Sequence, residues 1–325
     1  MGETRTTVVP DGGQGWNGNF RFTLIIAAIC VVISSAAHAQ TNSWINSASG
    51  FWQDANSWSL GMPPNTTQSL LVTNAGNRTV FIDSSTSSGY SNTLTVSDVI
   101  LAGQSSAINT LLINNIGVNP PLHVLNSLIV DPGGALLETN SALVVDNAAG
   151  GAIDVEGTMA LSGTNFLSGG LYVGFSTNSA ADVSVINGQT AFTNGYMTIG
   201  FYGSAQVALS SGTLQTEDNI SPPSAMFVGL GPDSEGAFSI LGGNLLVPEH
   251  LSLGEDAGSM GLLSLDGGQL VATNNFLISI GGNATGQIVV SNGQLAASYV
   301  MVGDALGSSG ALTLAGGSIT ISGPW

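Results

Sequence analysis

The sequence predicts an all-β protein, a right-handed parallel β-helix with an N-terminal β cap. Glycines recur about every 25 residues through the second half of the 325-residue chain, and apolar residues alternate strictly with other residues between them. Charge is also scarce, since only 7% of the residues are Asp, Glu, Lys or Arg. Stacked turns place equivalent positions next to each other, where like charges repel, so a low charge suits this fold.

Residues 1–39 are expected to be a secretory signal peptide. Arg21 precedes the 12-residue apolar run 22–33, and Ala37-His38-Ala39 resembles a cleavage site. That run is short for a helix crossing about 30 Å of hydrocarbon, so a membrane helix is the lesser alternative. The only cysteine, Cys30, lies within the signal, and the exported chain would therefore form no disulfide.

Residues 40–93 are rich in tryptophan, with Trp44, Trp52 and Trp58 just before Pro63-Pro64. A solenoid needs its end covered to hide the core and the strand edges, and a tryptophan-rich cap suits that role. The alternative is that the three indoles are exposed and stack on sugar rings. They are our candidates for glycan binding.

Residues 94–170 are predicted to form irregular coils of the helix. Segments 128–130, 142–145 and 153–157 have the composition of strands. Glycine-rich turns follow at 132–134 and 149–151.

Residues 171–325 are predicted to form six regular coils. Each has an apolar-x-apolar-Gly segment, and the glycines of these segments are Gly174, Gly200, Gly229, Gly254, Gly281 and Gly303. A second glycine follows seven positions after a small residue, with apolar residues two and four positions after that small residue, as in 261–268 and 286–293. Alternation with a period of two buries one face of a strand, and glycine allows positive φ at tight corners. A unit of this length cannot bury its own apolar face, so neighbouring units must share a core.

Two other β architectures compete with the helix. A β-sandwich would also show alternation, and a propeller would also show a repeat. A propeller blade needs about 40 residues, however, which fits this spacing less well.

The charge balance excludes several classes of partner. Three arginines and no lysine face 20 acidic residues, giving a net charge of −17. A nucleic-acid binder needs clustered Lys and Arg, and an anionic membrane surface would repel this chain. We expect neither partner.

Acidic loops make calcium the one metal to consider. Asp233, Glu235, Glu255, Asp256 and Asp304 follow the first glycine of successive coils, and stacking would bring them into one row. Carboxylate oxygens without histidine suit Ca²⁺. The alternative is a solvated acidic edge, and no cofactor is otherwise expected.

The sequence assigns no catalytic residue. His123 and His250 lie near no nucleophile motif. The carboxyl pairs Glu217-Asp218 and Glu255-Asp256 can serve glycoside hydrolysis only if a loop turns both side chains together, because strand neighbours point to opposite faces. A lyase that binds uronates through Lys or Arg is disfavoured, because Arg78 is the only basic residue beyond the signal.

The tryptophan spacing and the glycine repeats resemble bacterial secreted proteins with autotransporter-associated β-strand repeats. The resemblance rests on segments 44–58 and 61–64 and on the Gly-x-apolar-x-apolar-x-x-Gly units. It implies an extracellular or surface-displayed β-helix, adhesin-like or structural. We therefore expect a secreted or cell-surface structural protein that contacts extracellular glycans, matrix or copies of itself. The alternative is a glycan-binding module or a glycoside hydrolase acting on extracellular polysaccharide.

Overall fold

The computed structural model describes residues 39–147, 152–217, 225–248, 250–303 and 305–323. They form a parallel β-solenoid of about 11 turns, with 55% of residues in strands and 5% in helices. The predicted all-β parallel helix is confirmed. Nearly all of the predicted signal peptide lies outside the described residues, so that expectation remains a prediction.

The described residues contain 28 strands, one short α-helix and two 3-10 helices. The helix α1 is Ser84–Gly89, and the 3-10 helices are Ala55–Ser57 and Ser91–Thr93. The strands are, in chain order, β1 (Gln40–Ser43), β2 (Gly50–Phe51), β3 (Gln68–Val72), β4 (Arg78–Ile82), β5 (Thr95–Val96), β6 (Asp98–Leu101), β7 (Asn109–Asn114), β8 (Leu122–Val124), β9 (Leu128–Val130), β10 (Gly134–Thr139), β11 (Ser141–Val145), β12 (Ile153–Val155), β13 (Thr158–Ser168), β14 (Leu171–Val173), β15 (Ala180–Thr193), β16 (Met197–Ile199), β17 (Ser204–Leu209), β18 (Thr213–Glu217), β19 (Ala225–Val228), β20 (Glu235–Ile240), β21 (Asn244–Leu246), β22 (His250–Leu253), β23 (Met260–Leu265), β24 (Gln269–Ile280), β25 (Thr285–Val290), β26 (Gln294–Val302), β27 (Ser309–Leu314) and β28 (Ser318–Ile321).

The strands form three parallel sheets along the sides of the tube. Sheet 1 contains β1, β3, β6, β9, β12, β14, β16, β19, β22 and the C-terminal parts of β24 and β26. Sheet 2 contains β2, β4, β7, β10, the N-terminal parts of β13 and β15, then β17, β20, β23, β25 and β27. Sheet 3 contains β5, β8, β11, the C-terminal parts of β13 and β15, then β18, β21, the N-terminal parts of β24 and β26, and β28. We number the turns by their strand in sheet 1, so that turn 6 begins at β14.

The corner between sheets 1 and 2 is made by the repeated glycine, as predicted. All six such glycines, from Gly174 to Gly303, have φ between 70° and 73°. Backbone packing is tight there, because a Cβ built on Gly254 would lie 2.3 Å from the carbonyl oxygen of Thr285 in the next turn. Glycine is therefore required both for its φ and for the close approach of the next turn.

The core is a continuous column of aliphatic side chains inside the tube. Every predicted inward position between 171 and 290 is at most 2% exposed, including Val183, Leu263 and Ile288. In the last turn Val302 and Leu314 are 49% and 53% exposed, because no described strand lies beyond the C-terminal part of β26 in sheet 1 or beyond β27 in sheet 2. Alternation thus predicts the buried face wherever a neighbouring turn covers it.

The predicted cap, residues 40–93, is continuous with the solenoid. Its strands β1 and β3 pair with each other in sheet 1, and β2 pairs with β4 in sheet 2. The tryptophans fill the inside of this first part, where Trp58 makes edge contacts with both Trp44 and Trp52 at centroid distances of 5.0 and 5.6 Å. Among the described residues, no helix has the length and apolar character needed to cross a membrane.

The glycine corner gives a matched pair of stability tests. Gly254 and Gly303 both have φ of 70°, but only Gly254 meets the backbone of a following turn, since the nearest atom to a Cβ on Gly303 is 3.8 Å away. We expect Gly303→Ala to cost about 1 kcal/mol from φ strain alone. Gly254→Ala should cost clearly more, because strain and steric overlap add. Urea unfolding followed by circular dichroism measures both, and equal costs would contradict the stacked corner.

Candidate functional site

The three tryptophans proposed for glycan binding are part of the core. Trp44, Trp52 and Trp58 are 3%, 0% and 1% exposed. Their ring nitrogens bond inside the protein, since Trp58 Nε1 donates to the carbonyl of Trp52 and Trp52 Nε1 donates to the hydroxyl of Thr93. Stacking on a sugar needs an open ring face, and none of the three has one. The structure assigns them the role of closing the core.

The acidic loops stack, but the carboxylates that the structure describes there form no group able to hold a metal ion. Asp233 lies in the loop after β19, and Glu235 is the first residue of β20. Glu255 and Asp256 lie one turn further, and their backbone N–H groups bond to the loop after β19. Glu255 accepts a bond from the Ser252 hydroxyl, and Glu235 accepts one from the Ser204 hydroxyl at 3.2 Å.

Burial, and then the charge of Glu255, raise the pKa of Asp256. Within the described ranges no group of three or more His, Cys, Asp or Glu side chains is placed to hold a metal ion. Asp304, the fifth predicted ligand, lies outside the described residues.

The other polar candidates are dispersed. His123 Nε2 lies 2.6 Å from Asp146 Oδ2 on the outer side of sheet 3, and both side chains are partly exposed. Asp218 and the side chain of Glu217 lie outside what the structure describes. His250 begins β22 in sheet 1, two turns after β16.

The outer side of sheet 1 is the most distinctive surface of the protein. One residue of each strand points outward between two buried ones, and register stacks these outward residues in a single row. From turn 5 to turn 10 the row reads Asp154, Tyr172, Thr198, Phe227, Ser252 and Ser279. Large aromatic groups are thus confined to its middle turns.

Tyr172 of this row meets three further aromatic rings beside it. We call the four residues the aromatic cluster: Tyr172, Phe175, Phe201 and Tyr202. Phe175 and Phe201 follow the corner glycines of adjacent turns and stack with centroids 5.2 Å apart and planes 13° apart. Tyr172 and Tyr202 meet Phe201 nearly at right angles, at 5.9 and 4.4 Å. Phe175 and Tyr202 are 40% and 39% exposed, so a ligand can reach this cluster from solvent.

A second aromatic pair extends the surface by one turn. Tyr196 and Phe227 make an edge contact with centroids 5.9 Å apart, and Tyr196 is 42% exposed. Between Tyr172 and Phe227 in the row lies Thr198, which is 0% exposed and whose Oγ1 has no hydrogen-bond partner. An unpartnered buried hydroxyl costs free energy, and this one is not reached from solvent.

Three carboxyl groups, the acidic trio, border the aromatic cluster on its N-terminal side: Asp131, Asp154 and Glu156. Asp154 pairs in register with Tyr172, and Glu156 lies at the position that Asp131 occupies one turn earlier. Glu156 Oε1 accepts a 2.9 Å bond from the backbone N–H of Ser176, the residue after Phe175. The trio and the cluster therefore share one surface.

Asp154 has the most perturbed titration in the trio. Burial, and then the charges of Glu156 and Asp131, raise its pKa from 3.8 to about 6. Its Oδ1 is buried without a hydrogen-bond partner. Burial and Glu156 also raise the pKa of Asp131, and burial, Tyr196 and Asp154 raise that of Tyr172. A surface with these properties can stack on flat rings, accept hydrogen bonds and attract cations.

We compared the whole chain with known proteins. No family model, no curated protein and no solved structure matches the chain. The fold and the site therefore rest on the chain's own residues.

The aromatic cluster was missed in the sequence, although its signal is present there. Tyr172 occupies the polar position of an apolar-x-apolar-Gly segment, and Phe175 and Phe201 directly follow the corner glycines. Aromatic residues at outward positions of a repeat are exposed by the same alternation that buries their neighbours. The tryptophans are candidates for glycan binding by residue type alone.

The titration of Asp154 gives a test based on stability. Between about pH 4 and pH 6 the folded protein binds this proton more tightly than the unfolded chain, so stability falls as pH rises through that interval. Asp154→Asn removes this loss. Relative to wild type, we expect the variant to gain about 1 kcal/mol between pH 4 and pH 7.5, a figure discounted for the partial exposure of the carboxyl.

Chemical unfolding at the two pH values measures this difference. Asp182→Asn removes the same charge from an exposed position in sheet 2 and controls for net charge. A gain equal to that of the control would show that Asp154 does not lie in the buried setting described.

Proposed function

We propose that this chain is an exported, secreted or surface-displayed, adhesin-like β-solenoid that binds extracellular glycans through the aromatic cluster. The observation that supports the proposal is the group of four rings, two of them exposed, on a surface whose turns 9 and 10 carry serine at the equivalent row position. Exposed aromatic groups on a soluble surface mark binding sites.

Sugar rings match this surface in shape and chemistry. The C–H faces of a pyranose are apolar and pack on aromatic rings, while its hydroxyls need acceptors at the edge of the contact. The acidic trio supplies such acceptors beside Tyr172. The rings lie on adjacent turns of a rigid tube, so little conformational entropy is lost when a ligand is bound.

The remaining parts of the proposal come from the sequence. The signal-like segment 1–39 favours export, and the glycine repeats resemble those of autotransporter-associated proteins. The net charge of −17 disfavours polyanionic glycans and membrane surfaces as partners.

A glycoside hydrolase is the second candidate, and the raised pKa of Asp154 favours it. A carboxyl that keeps its proton near neutral pH can donate that proton to a glycosidic oxygen, and Asp131 or Glu156 would act as the second carboxylate. We favour binding without cleavage over hydrolysis, because the trio lies on an open face.

Retention on insoluble and soluble polysaccharides tests the binding function with the full chain. We expect Phe175→Ala/Tyr202→Ala to weaken binding about tenfold, because two ring contacts are lost. Tyr90→Ala removes a ring of similar exposure, 43%, from outside the cluster and should leave binding unchanged. Circular dichroism confirms that each variant is folded.

The same samples are assayed for new reducing ends. Release at enzymatic rates that is lost in Asp154→Asn would favour the hydrolase over the adhesin. Retention that survives loss of both rings would contradict a role for the aromatic cluster.

A further inference from the structure

We propose that the ligand of the aromatic cluster is a glycan that bears free amino groups and is cationic when bound. This inference rests on the proposed glycan-binding function and adds the charge of the sugar. It depends on the rings and on the carboxylates next to them.

Aromatic rings attract ammonium groups as well as sugar faces. An ammonium within about 6 Å of a ring centroid is held by the negative face of the ring. Two tyrosines flank the stacked Phe175 and Phe201, and their planes lie at steep angles to the pair. Ring faces of more than one orientation are thus present within one small surface.

The carboxylates beside the rings have no cationic partner among the residues that the structure describes. The chain has no lysine, and Arg78, in β4 of sheet 2, is the only arginine beyond residue 21. Arg78 donates to the backbone carbonyl of Asn77 and makes no ion pair with the trio among the described contacts. The acidic trio is therefore a group of like charges without compensation, which a cationic ligand would relieve.

Asp154 joins the carboxylates to the rings. It is the register partner of Tyr172, and its side chain is only partly buried. An ammonium group over Tyr172 would therefore lie beside a carboxyl group as well as a ring face.

Other sugars fit less well. A uronate would place its carboxylate against the trio, and like charges at contact distance repel. An N-acetylated sugar would satisfy the rings but bring no charge. The amino sugar is the class that uses both the aromatic cluster and the acidic trio.

Two oligosaccharides that differ only at nitrogen test the inference. Hexamers of glucosamine and of N-acetylglucosamine have the same backbone, but only the first is cationic. We expect the full chain to bind the glucosamine hexamer about tenfold more tightly in calorimetry at low salt, with the preference shrinking as salt rises.

Matched variants separate the site from the overall charge. Asp131→Asn/Asp154→Asn should abolish the preference for the glucosamine hexamer. Asp182→Asn/Asp266→Asn makes the same change in net charge at exposed positions outside sheet 1 and should retain it. If both double variants lose the preference equally, binding is a general effect of an acidic protein and the inference is wrong.

The remaining outcomes are also decisive. Equal affinity for the two hexamers would overturn the amino-sugar inference and leave glycan binding intact. Failure of both hexamers and of neutral polysaccharides to bind would overturn the proposed function itself. A lysine hexamer that binds as tightly, with the same sensitivity to Asp131→Asn/Asp154→Asn, would show that the surface takes basic peptides rather than sugars.

Discussion

In-register contact between successive turns is the constraint on which the rest of this structure depends. Each turn lies directly on the preceding one, so every position must be compatible with its equivalents above and below. At the corner this demands glycine, because the backbone of the next turn occupies the space of a side chain, as at Gly254. Inside the tube it demands aliphatic groups that fill a shared core. The low charge of the chain follows from the same requirement.

Side chains that point outward need not be glycine or aliphatic, and the candidate site is made of such side chains. The backbone holds successive turns about 4.8 Å apart whatever the outward residue is. Aromatic residues at adjacent turns are then brought into contact, as Phe175 and Phe201 are. Burial raises the pKa of Asp154, and the charges of Glu156 and Asp131, which stack in the neighbouring row, raise it further. One geometrical rule therefore produces both a ring surface and a perturbed carboxyl.

The sequence predicted the parts of the structure that the repeat determines. Val183 and Leu263 lie inward as alternation requires. Residue type was a poorer guide, since Trp52 was a candidate for sugar stacking and is fully buried. Glu138 is 2% exposed inside the tube and accepts a bond from the Ser162 N–H, which its charge would not suggest. Contacts between neighbouring turns, such as Asp154 with Tyr172, depend on a register that alignment of irregular turns could not supply.

A disulfide between neighbouring turns tests the stacked tube most directly. Ser239 and Ser264 are register partners 25 residues apart, and their hydroxyl oxygens lie 3.1 Å apart. With Cys30 replaced by alanine, Ser239→Cys/Ser264→Cys should oxidise to a disulfide within one chain. Ser239→Cys/Val289→Cys should not, because two turns separate its residues by about 9.6 Å, beyond the reach of a disulfide. A disulfide in the second pair and none in the first would contradict the in-register parallel stack.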